Sequence, residues 1–353
     1  MKKILYITNK EVPYKVEFFN QLAKTNDLVV IYESENPNAR NKEWAKSKPN
    51  CFKYYYIDDD KTGKKFPIIK IMNIIKMENP DDIIIGCITN KIEVFVTQIL
   101  KLKRRKYFIN VDGEYFFNEK NLKNKIKAKI MCGADKYFVA GEKSAKEIKK
   151  YVKKDGIPYY FSSLTLNELK QREKDAIKIN EREDFILVVG QYFDYKGMDI
   201  ALETATKMPD KKFKFIGMGF RTDLMKKKVE ELNAKNVELI PFLQKDELNE
   251  EYKKCKLLIL PSKKECWGLV INEAASYGTP IISTYGSGAA IEFLEDNYSQ
   301  FLAKPGDAQS LLEKIKCYEN LSSEEKENYG EYLKNKSKKY YIEKITEIHN
   351  SNL

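Results

Sequence analysis

Histidine is almost absent. His349 is the one histidine among 353 residues, which argues against a histidine-based catalytic triad or a His-rich metal site. The six cysteines, at 51, 87, 132, 255, 266 and 317, form no Cys-x-x-Cys pair. Neither a disulfide framework nor a zinc ribbon is indicated, and a reducing cytoplasm fits. No apolar run approaches the roughly 20 residues that span a bilayer. The opening MKKILYITNK has an apolar part of five residues, Ile4 to Thr8, too short for the core of a secretory signal. It reads as a first buried strand. The loop that follows, from Asn9 to Tyr14, contains no glycine.

What is present supports a large folded chain. Hydrophobic residues make up 42% of the sequence, enough for the cores of two domains of ordinary size. Charge is unevenly placed: residues 1–160 carry a net +13 and the remainder a net −2. A basic first half calls for an anionic partner, whether a membrane surface, a lipid-linked phosphate or nucleic acid. No nucleic-acid recognition motif accompanies it.

The most informative stretch runs from Leu257 to Gly288, LLILPSKKECWGLVINEAASYGTPIISTYGSG. An apolar run ends at Pro261 and Ser262, and a polar loop carries Glu265, Trp267 and Gly268. Helical spacing from Leu269 to Tyr277 stops at Gly278, and a β-branched run follows from Pro280 to Thr284. Glu265 lies in the loop, and Glu273 lies about two helical turns later. A helix start at Gly268 offers free N–H groups to a phosphate. The pattern suits a nucleotide-bearing ligand. One acid is placed to hold hydroxyls of a transferred group, the other those of a ribose. The alternative is two solvated acids flanking a helix.

PSKKECWGLVINEAASYGTPII resembles the signature of retaining glycosyltransferases of family 4, which have the GT-B fold: a Glu, seven residues, a second Glu, then Gly-x-Pro after the helix. The matching residues are Glu265, Glu273, Gly278 and Pro280. The resemblance implies an α/β protein of two Rossmann-like, doubly wound domains facing across a cleft. The acceptor-binding domain is expected over residues 1–165, with a C-terminal helix at about 333–353 crossing back to it. The nucleotide-sugar domain is expected over 170–330. It also implies that Glu265 faces the donor sugar and Glu273 the ribose.

A second match lies after the apolar run Asp184–Gly190. The family places an Arg and then a Lys-Gly here, both cations on the donor diphosphate. Lys196 and Gly197 match, whereas the Arg position holds Gln191. Lys196 would therefore carry more of the leaving-group charge, helped by Gly268, Leu269 and Val270 at the helix start. Gly217, in a Gly-x-Gly loop, and Phe242 and Leu243, at the end of a strand read over Val237–Leu243, are weaker donor candidates. Trp267 and Cys266 are read as lying where sugar preference is set. Lys304–Asp307 resembles the closing loop of the family.

The first half resembles the family in architecture only. Lys10 to Tyr14 is a candidate acceptor loop, with Lys10 and Tyr14 its named residues, or a plain strand-to-helix turn. Asp112 and Glu114 follow the strand Tyr107–Ile109, where many family members have a histidine and this chain has none. Asp112 is the third candidate catalytic residue, with Glu265 and Lys196. A carboxylate there can accept a proton from an acceptor hydroxyl or hold a sugar hydroxyl; the alternative is an Asp-Gly turn. Asp58, Asp59 and Asp60 read as an acidic turn rather than a metal site. The block KLKRRK, Lys101–Lys106, and the lysines at 123–129 and 146–154 are either solvated faces or a surface for anionic lipid.

These readings lead to an enzyme that moves a sugar from a nucleotide-diphosphate donor, a UDP-sugar, to a glycan hydroxyl. The acceptor is lipid-linked, in bacterial surface-polysaccharide or capsule assembly. No metal or other cofactor is required, because basic and dipolar groups can do a metal's work. Nucleic acid is not an expected partner. The enzyme is placed in the cytoplasm, peripheral to the inner membrane face. The rivals are a soluble glycosyltransferase on a small-molecule or protein acceptor, and a non-catalytic nucleotide- or nucleic-acid-binding module. The segment Tyr329–His349 is expected to be helical, burying Tyr340, Tyr341, Ile345 and Ile348. A linker is expected between Tyr159 and Glu168.

Overall fold

A computed structural model describes residues 1–34, 50–57, 67–86, 91–112, 122–217 and 221–353. The chain divides into two compact units. One comprises Met1–Phe161 with Ile342–Leu353, the other Ser162–Tyr341.

The first unit holds strands β1 (Lys3–Lys10), β2 (Asp27–Ser34), β3 (Lys53–Tyr56), β4 (Asp82–Gly86), β5 (Phe108–Val111), β6 (Lys136–Ala140) and β7 (Ile157–Tyr159). They form one parallel sheet in the order β3-β2-β1-β4-β5-β6-β7. The second unit holds β8 (Glu183–Val189), β9 (Lys212–Ile216), β10 (Val237–Ile240), β11 (Cys255–Leu260), β12 (Ile281–Thr284) and β13 (Leu302–Ala303). These are also parallel, in the order β10-β9-β8-β11-β12-β13.

Unbroken apolar runs explain both sheets. Strands covered by helices on both faces need apolar side chains at successive positions. Every residue of β4 (DIIIG) is buried, as are Leu257–Leu260 of β11. Strand order reverses between β1 and β4 in one sheet and between β8 and β11 in the other. Open parallel sheets bind ligands beyond the carboxyl ends of their strands at such a reversal. The loops after β1 and β8, and that after β11, thus lie at these reversals.

Three short strands were not anticipated: β3, β7 and β13, each at or next to a sheet edge. The strand read over Val237–Leu243 ends at Ile240. The expected single helix over Tyr329–His349 is two helices, Ser323–Ser337 and Ile342–Asn352. Tyr340 accounts for the break. It is 1% exposed, packs 4.8 Å from the Phe293 ring and donates to Glu292 at 3.2 Å. In the last helix Ile345 is buried as expected, but Ile342, Thr346 and His349 complete the buried face, while Ile348 is only half-buried.

The basic block lies at the amino edge of the first sheet and is partly occupied there. Lys101 donates to the Cys132 carbonyl at 2.9 Å, and Arg105 donates to that of Pro80. Lys106 pairs with buried Asp82 at 2.9 Å. Asp58–Asp60 lie outside the described residues.

Candidate functional site

In the second unit the loops after β8 and β11 are joined by backbone hydrogen bonds. The amides of Lys263 and Lys264 both donate to the Tyr195 carbonyl, at 2.8 and 3.1 Å. The contact is so close that a Cβ on Gly197 would lie 2.0 Å from the Pro261 carbonyl oxygen, and Gly197 has a φ of +67°. Only glycine meets both demands. The glycine of the Lys-Gly pair therefore lets the two loops touch, and the lysine before it benefits. The Lys196 ammonium pairs directly with the Glu265 carboxylate. Both groups are largely but not wholly withdrawn from solvent, at 21% and 13% exposure. From the other side, the Glu265 amide donates to the Gly286 carbonyl at 2.7 Å, and Glu265 bridges to Ser287. Residues 69 apart in sequence thus form one ammonium–carboxylate site at the β8/β11 reversal.

Gly268 has a φ of +102°, and a Cβ there would crowd Leu260 and the Ser287 hydroxyl at 2.9 Å. It opens the helix Leu269–Ala275. The amides of Leu269 and Val270, in the first turn, have no intrahelical acceptor. Both residues are half-buried. Glu273, on the same helix, accepts from Ser163 at 2.7 Å through one carboxylate oxygen and from Tyr252 at 2.8 Å through the other. Burial and this carboxylate push the Tyr252 phenol well above its ordinary value, so it stays a donor. Each carboxylate oxygen has a further acceptor site to offer. Arg172 braces the same turn by donating to the Glu273 carbonyl at 3.1 Å and to Ser276 at 3.3 Å.

The other expected donor contacts divide. Gln191 lies two residues past β8, Gly217 follows β9, and Phe242 and Leu243 lie just past β10. Parallel pairing puts all of them at the carboxyl edge that also carries Glu265. Phe242 and Leu243 are half-buried. Trp267 needs correction. Its side chain is 2% exposed, donates to Asn272 at 2.8 Å and packs near Tyr340. The indole fills the core beneath the loop and is not placed to touch a ligand. A cation not foreseen, Arg221, reaches the loop after Gln191. It stacks 5.1 Å over the Phe193 ring. The end of the motif is structural: the Thr279 hydroxyl donates to the Tyr252 carbonyl and accepts from buried Arg182. In Lys304–Asp307, Asp307 caps the helix Ala308–Glu319 by accepting from the Ser310 amide.

In the first unit Asp112 follows β5 and meets a buried polar network. Its carboxylate accepts from Asn110 and from the Tyr159 hydroxyl, the latter at 2.9 Å, and pairs with Lys15 at 3.7 Å. Lys15 is 9% exposed and also donates to Thr8 at 2.9 Å and to Asn9 at 3.3 Å. The Asn9–Tyr14 stretch thus comes beside Asp112 through Lys15, a residue that no motif in the sequence marks. Lys10 itself is exposed at the end of β1, and Tyr14 packs edge-on against Phe161. Glu114 lies outside the described residues. His349 arrives from the far end of the chain, 3.1 Å from the Asn110 side-chain oxygen. Nothing local in the sequence signals this, since the two residues are 239 positions apart. Among the described residues, no group of three or more His, Cys, Asp and Glu converges to ligate a metal, and no helix is long and apolar enough to cross a membrane.

Residues 170–336 match the family Glycosyl transferases group 1, a span that takes in nearly all of the second unit. An uncharacterized glycosyltransferase of Methanocaldococcus jannaschii is 34% identical over 162 residues, covering 46% of this chain and 45% of the relative. An uncharacterized 41.2 kDa protein in the cps region of Klebsiella pneumoniae is 26% identical over 194 residues, 53% of either chain. The chain thus spans about half the length of the curated relatives it matches. The crystal structure of Anabaena HepE in complex with UDP-glucose matches the fold with a TM-score of 0.72 at 14% identity, covering 100% of this chain and 99% of that one. The fold is that of two parallel-sheet α/β domains, as in the GT-B glycosyltransferases.

Proposed function

We propose that this chain is a retaining glycosyltransferase that transfers a sugar from a UDP-sugar to a hydroxyl of a lipid-linked glycan in bacterial surface-polysaccharide assembly. The observation that carries the reading is the Lys196–Glu265 pair at the β8/β11 reversal, with Glu273 on the adjoining helix. A ligand with a diphosphate beside a hydroxyl-rich ring matches an ammonium beside a carboxylate. Lys196 is assigned to the diphosphate and Glu265 to the sugar hydroxyls. Glu273, oriented by Ser163 and Tyr252, is assigned to the ribose. Support for the donor comes from the structural likeness to HepE, solved with UDP-glucose. Support for the pathway comes from the relative in the cps region.

In the proposed step the bond from the anomeric carbon to the phosphate oxygen breaks, and the acceptor oxygen bonds that carbon from the same face. The acceptor proton passes to the departing phosphate oxygen. Charge gathers on the diphosphate, and Lys196 and the amides of Leu269 and Val270 stabilise it. No metal is assigned to the step. Asp112 is assigned to hold the acceptor hydroxyl.

The test is UDP release and sugar transfer across a panel of nucleotide-sugars, with the parent compared to Glu265→Ala and Lys196→Ala. Both variants are expected to stay folded and to lose turnover. Variants that turn over donor like the parent would falsify the assignment. Flotation with anionic vesicles tests the membrane-facing part separately: salt-sensitive binding is expected, and its absence favours a soluble acceptor.

A further inference from the structure

We propose that the outer face of three helices in the first unit, Pro67–Glu78, Lys91–Leu102 and Leu122–Met131, docks on an anionic lipid bilayer. The inference rests on the lipid-linked acceptor proposed above and names the surface that meets the lipid.

The three helices cover one face of the first sheet. Ile74, Val96 and Met131, one from each helix, join a single apolar cluster with Ile83 and Ile85, alternate residues of β4. Alternate strand residues share a face. The first helix packs on the second and the second on the third. Their outward sides therefore form one continuous surface.

The outward side of a helix packed on a sheet is ordinarily polar. Here Ile69, Met77, Phe95, Leu102 and Ile126 are each more than half exposed. At about 3.6 residues per turn, Phe95 and Leu102 share the side opposite the buried stripe of Glu93, Val96 and Leu100. Exposed apolar side chains are common singly. Five on three adjacent helices, against four among the described residues of the whole second unit, make a patch that calls for a partner.

The charge of the patch identifies that partner. The three helices contain eight lysines and two acids, Glu78 and Glu93, and both acids are buried. Lys76, Lys91 and Lys129 are exposed, as are Lys103 and Arg104 just past the second helix, and none of the five has a carboxylate partner among the described residues. Cations without neighbouring acids attract an anionic surface. A nucleic acid would satisfy the cations and leave the apolar side chains in water. An acidic bilayer takes both: the cations meet headgroup phosphates and the apolar groups enter the acyl boundary. In a parallel sheet each such helix starts beyond the carboxyl end of the preceding strand. Ile69 and Lys91, in first turns, thus adjoin the edge that carries Asp112. Docking there brings a lipid-linked glycan to that edge.

The experiment floats the full chain with vesicles of phosphatidylcholine and phosphatidylglycerol, and with phosphatidylcholine alone. The parent is expected to bind the first and not the second, and to come off as salt rises. Lys103→Gln/Arg104→Gln/Lys129→Gln is expected to weaken binding on the order of a hundredfold, since one cation near such a surface contributes roughly fivefold. Phe95→Ser/Leu102→Ser keeps every charge and is expected to weaken binding more than about tenfold. Lys226→Gln/Lys227→Gln/Lys235→Gln removes the same charge from the second unit and is expected to bind like the parent. All these side chains are exposed, so melting temperatures should not move. A parent that ignores protein-free vesicles, as it would if the patch served an acidic protein, overturns the proposal. So does an apolar variant that binds like the parent, or a second-unit variant that loses as much as the first. The functional reading fails separately. A parent that floats but releases UDP from no donor loses the transferase reading and keeps the surface. One that transfers sugar but does not float loses the surface alone.

Discussion

The two units share one topology yet secure their key carboxylates by opposite means. Glu265 is neutralised at short range by Lys196, and the two loops that carry them are stitched together through the Tyr195 carbonyl. Asp112 is held mainly by neutral donors, Asn110 and Tyr159, with Lys15 more distant at 3.7 Å. The first arrangement keeps a cation paired with the carboxylate, and the second holds a carboxylate in place mainly through neutral donors. On the function proposed above, the first would serve the diphosphate of a donor and the second the hydroxyl of an acceptor.

The strongest test of that contrast is removal of the cation. Lys196→Ala is expected to lower donor turnover by roughly 10²–10³-fold, the usual scale for losing one transition-state stabiliser, with little change in melting temperature. A near-normal rate would erase the distinction between the two edges. Next comes the contact that brings the loops together. Gly197→Ala places a Cβ against the Pro261 carbonyl at positive φ and is expected to cost about 3 kcal/mol of stability, read by denaturant melts, along with donor turnover.

A smaller effect is expected from the histidine of the other edge. Burial pushes the His349 ring down from 6.5 to about 4, against the pull of the Ile345 carbonyl and of Asp112. The unfolded ring takes up a proton below about 6.5, while the folded one resists until about 4. Its contribution is therefore complete above 6.5 and is lost as pH falls through that window, a change of about 3 kcal/mol. Stability–pH curves of the parent and His349→Phe should diverge there; coincident curves would mean the ring is not shielded. The least effect is expected from Tyr252→Phe, which removes one hydrogen bond to Glu273. About 1 kcal/mol should appear as a several-fold rise in donor KM with kcat held. A fall in kcat instead would move Glu273 from ribose binding to the chemistry.

How much of this was legible beforehand depended on distance along the chain. The apolar runs of β1, β8 and β11 announced buried strands, because strand burial is written in consecutive residues. Glu265, Gly268 and Glu273 share one loop and helix, so their spacing carried meaning before any contact was seen. The short edge strands β3, β7 and β13 were missed because two to four residues hold too little pattern. Trp267 was misread for a different reason: an aromatic residue in a motif looks the same whether it faces a ligand or, as here, the core.

The sequence by itself marked the buried strands and the loop and helix that carry Glu265 and Glu273, since backbone periodicity and turn chemistry act between near neighbours; the two-domain architecture and Lys196 came from the resemblance to a family. Only the tertiary structure decided what satisfies each charge: Ser163 and Tyr252 on Glu273, and Asn110 and Tyr159 on Asp112 with His349 behind them. A buried polar group must find a partner wherever the fold brings one, and a partner 110 or 239 residues away leaves no mark in the local pattern.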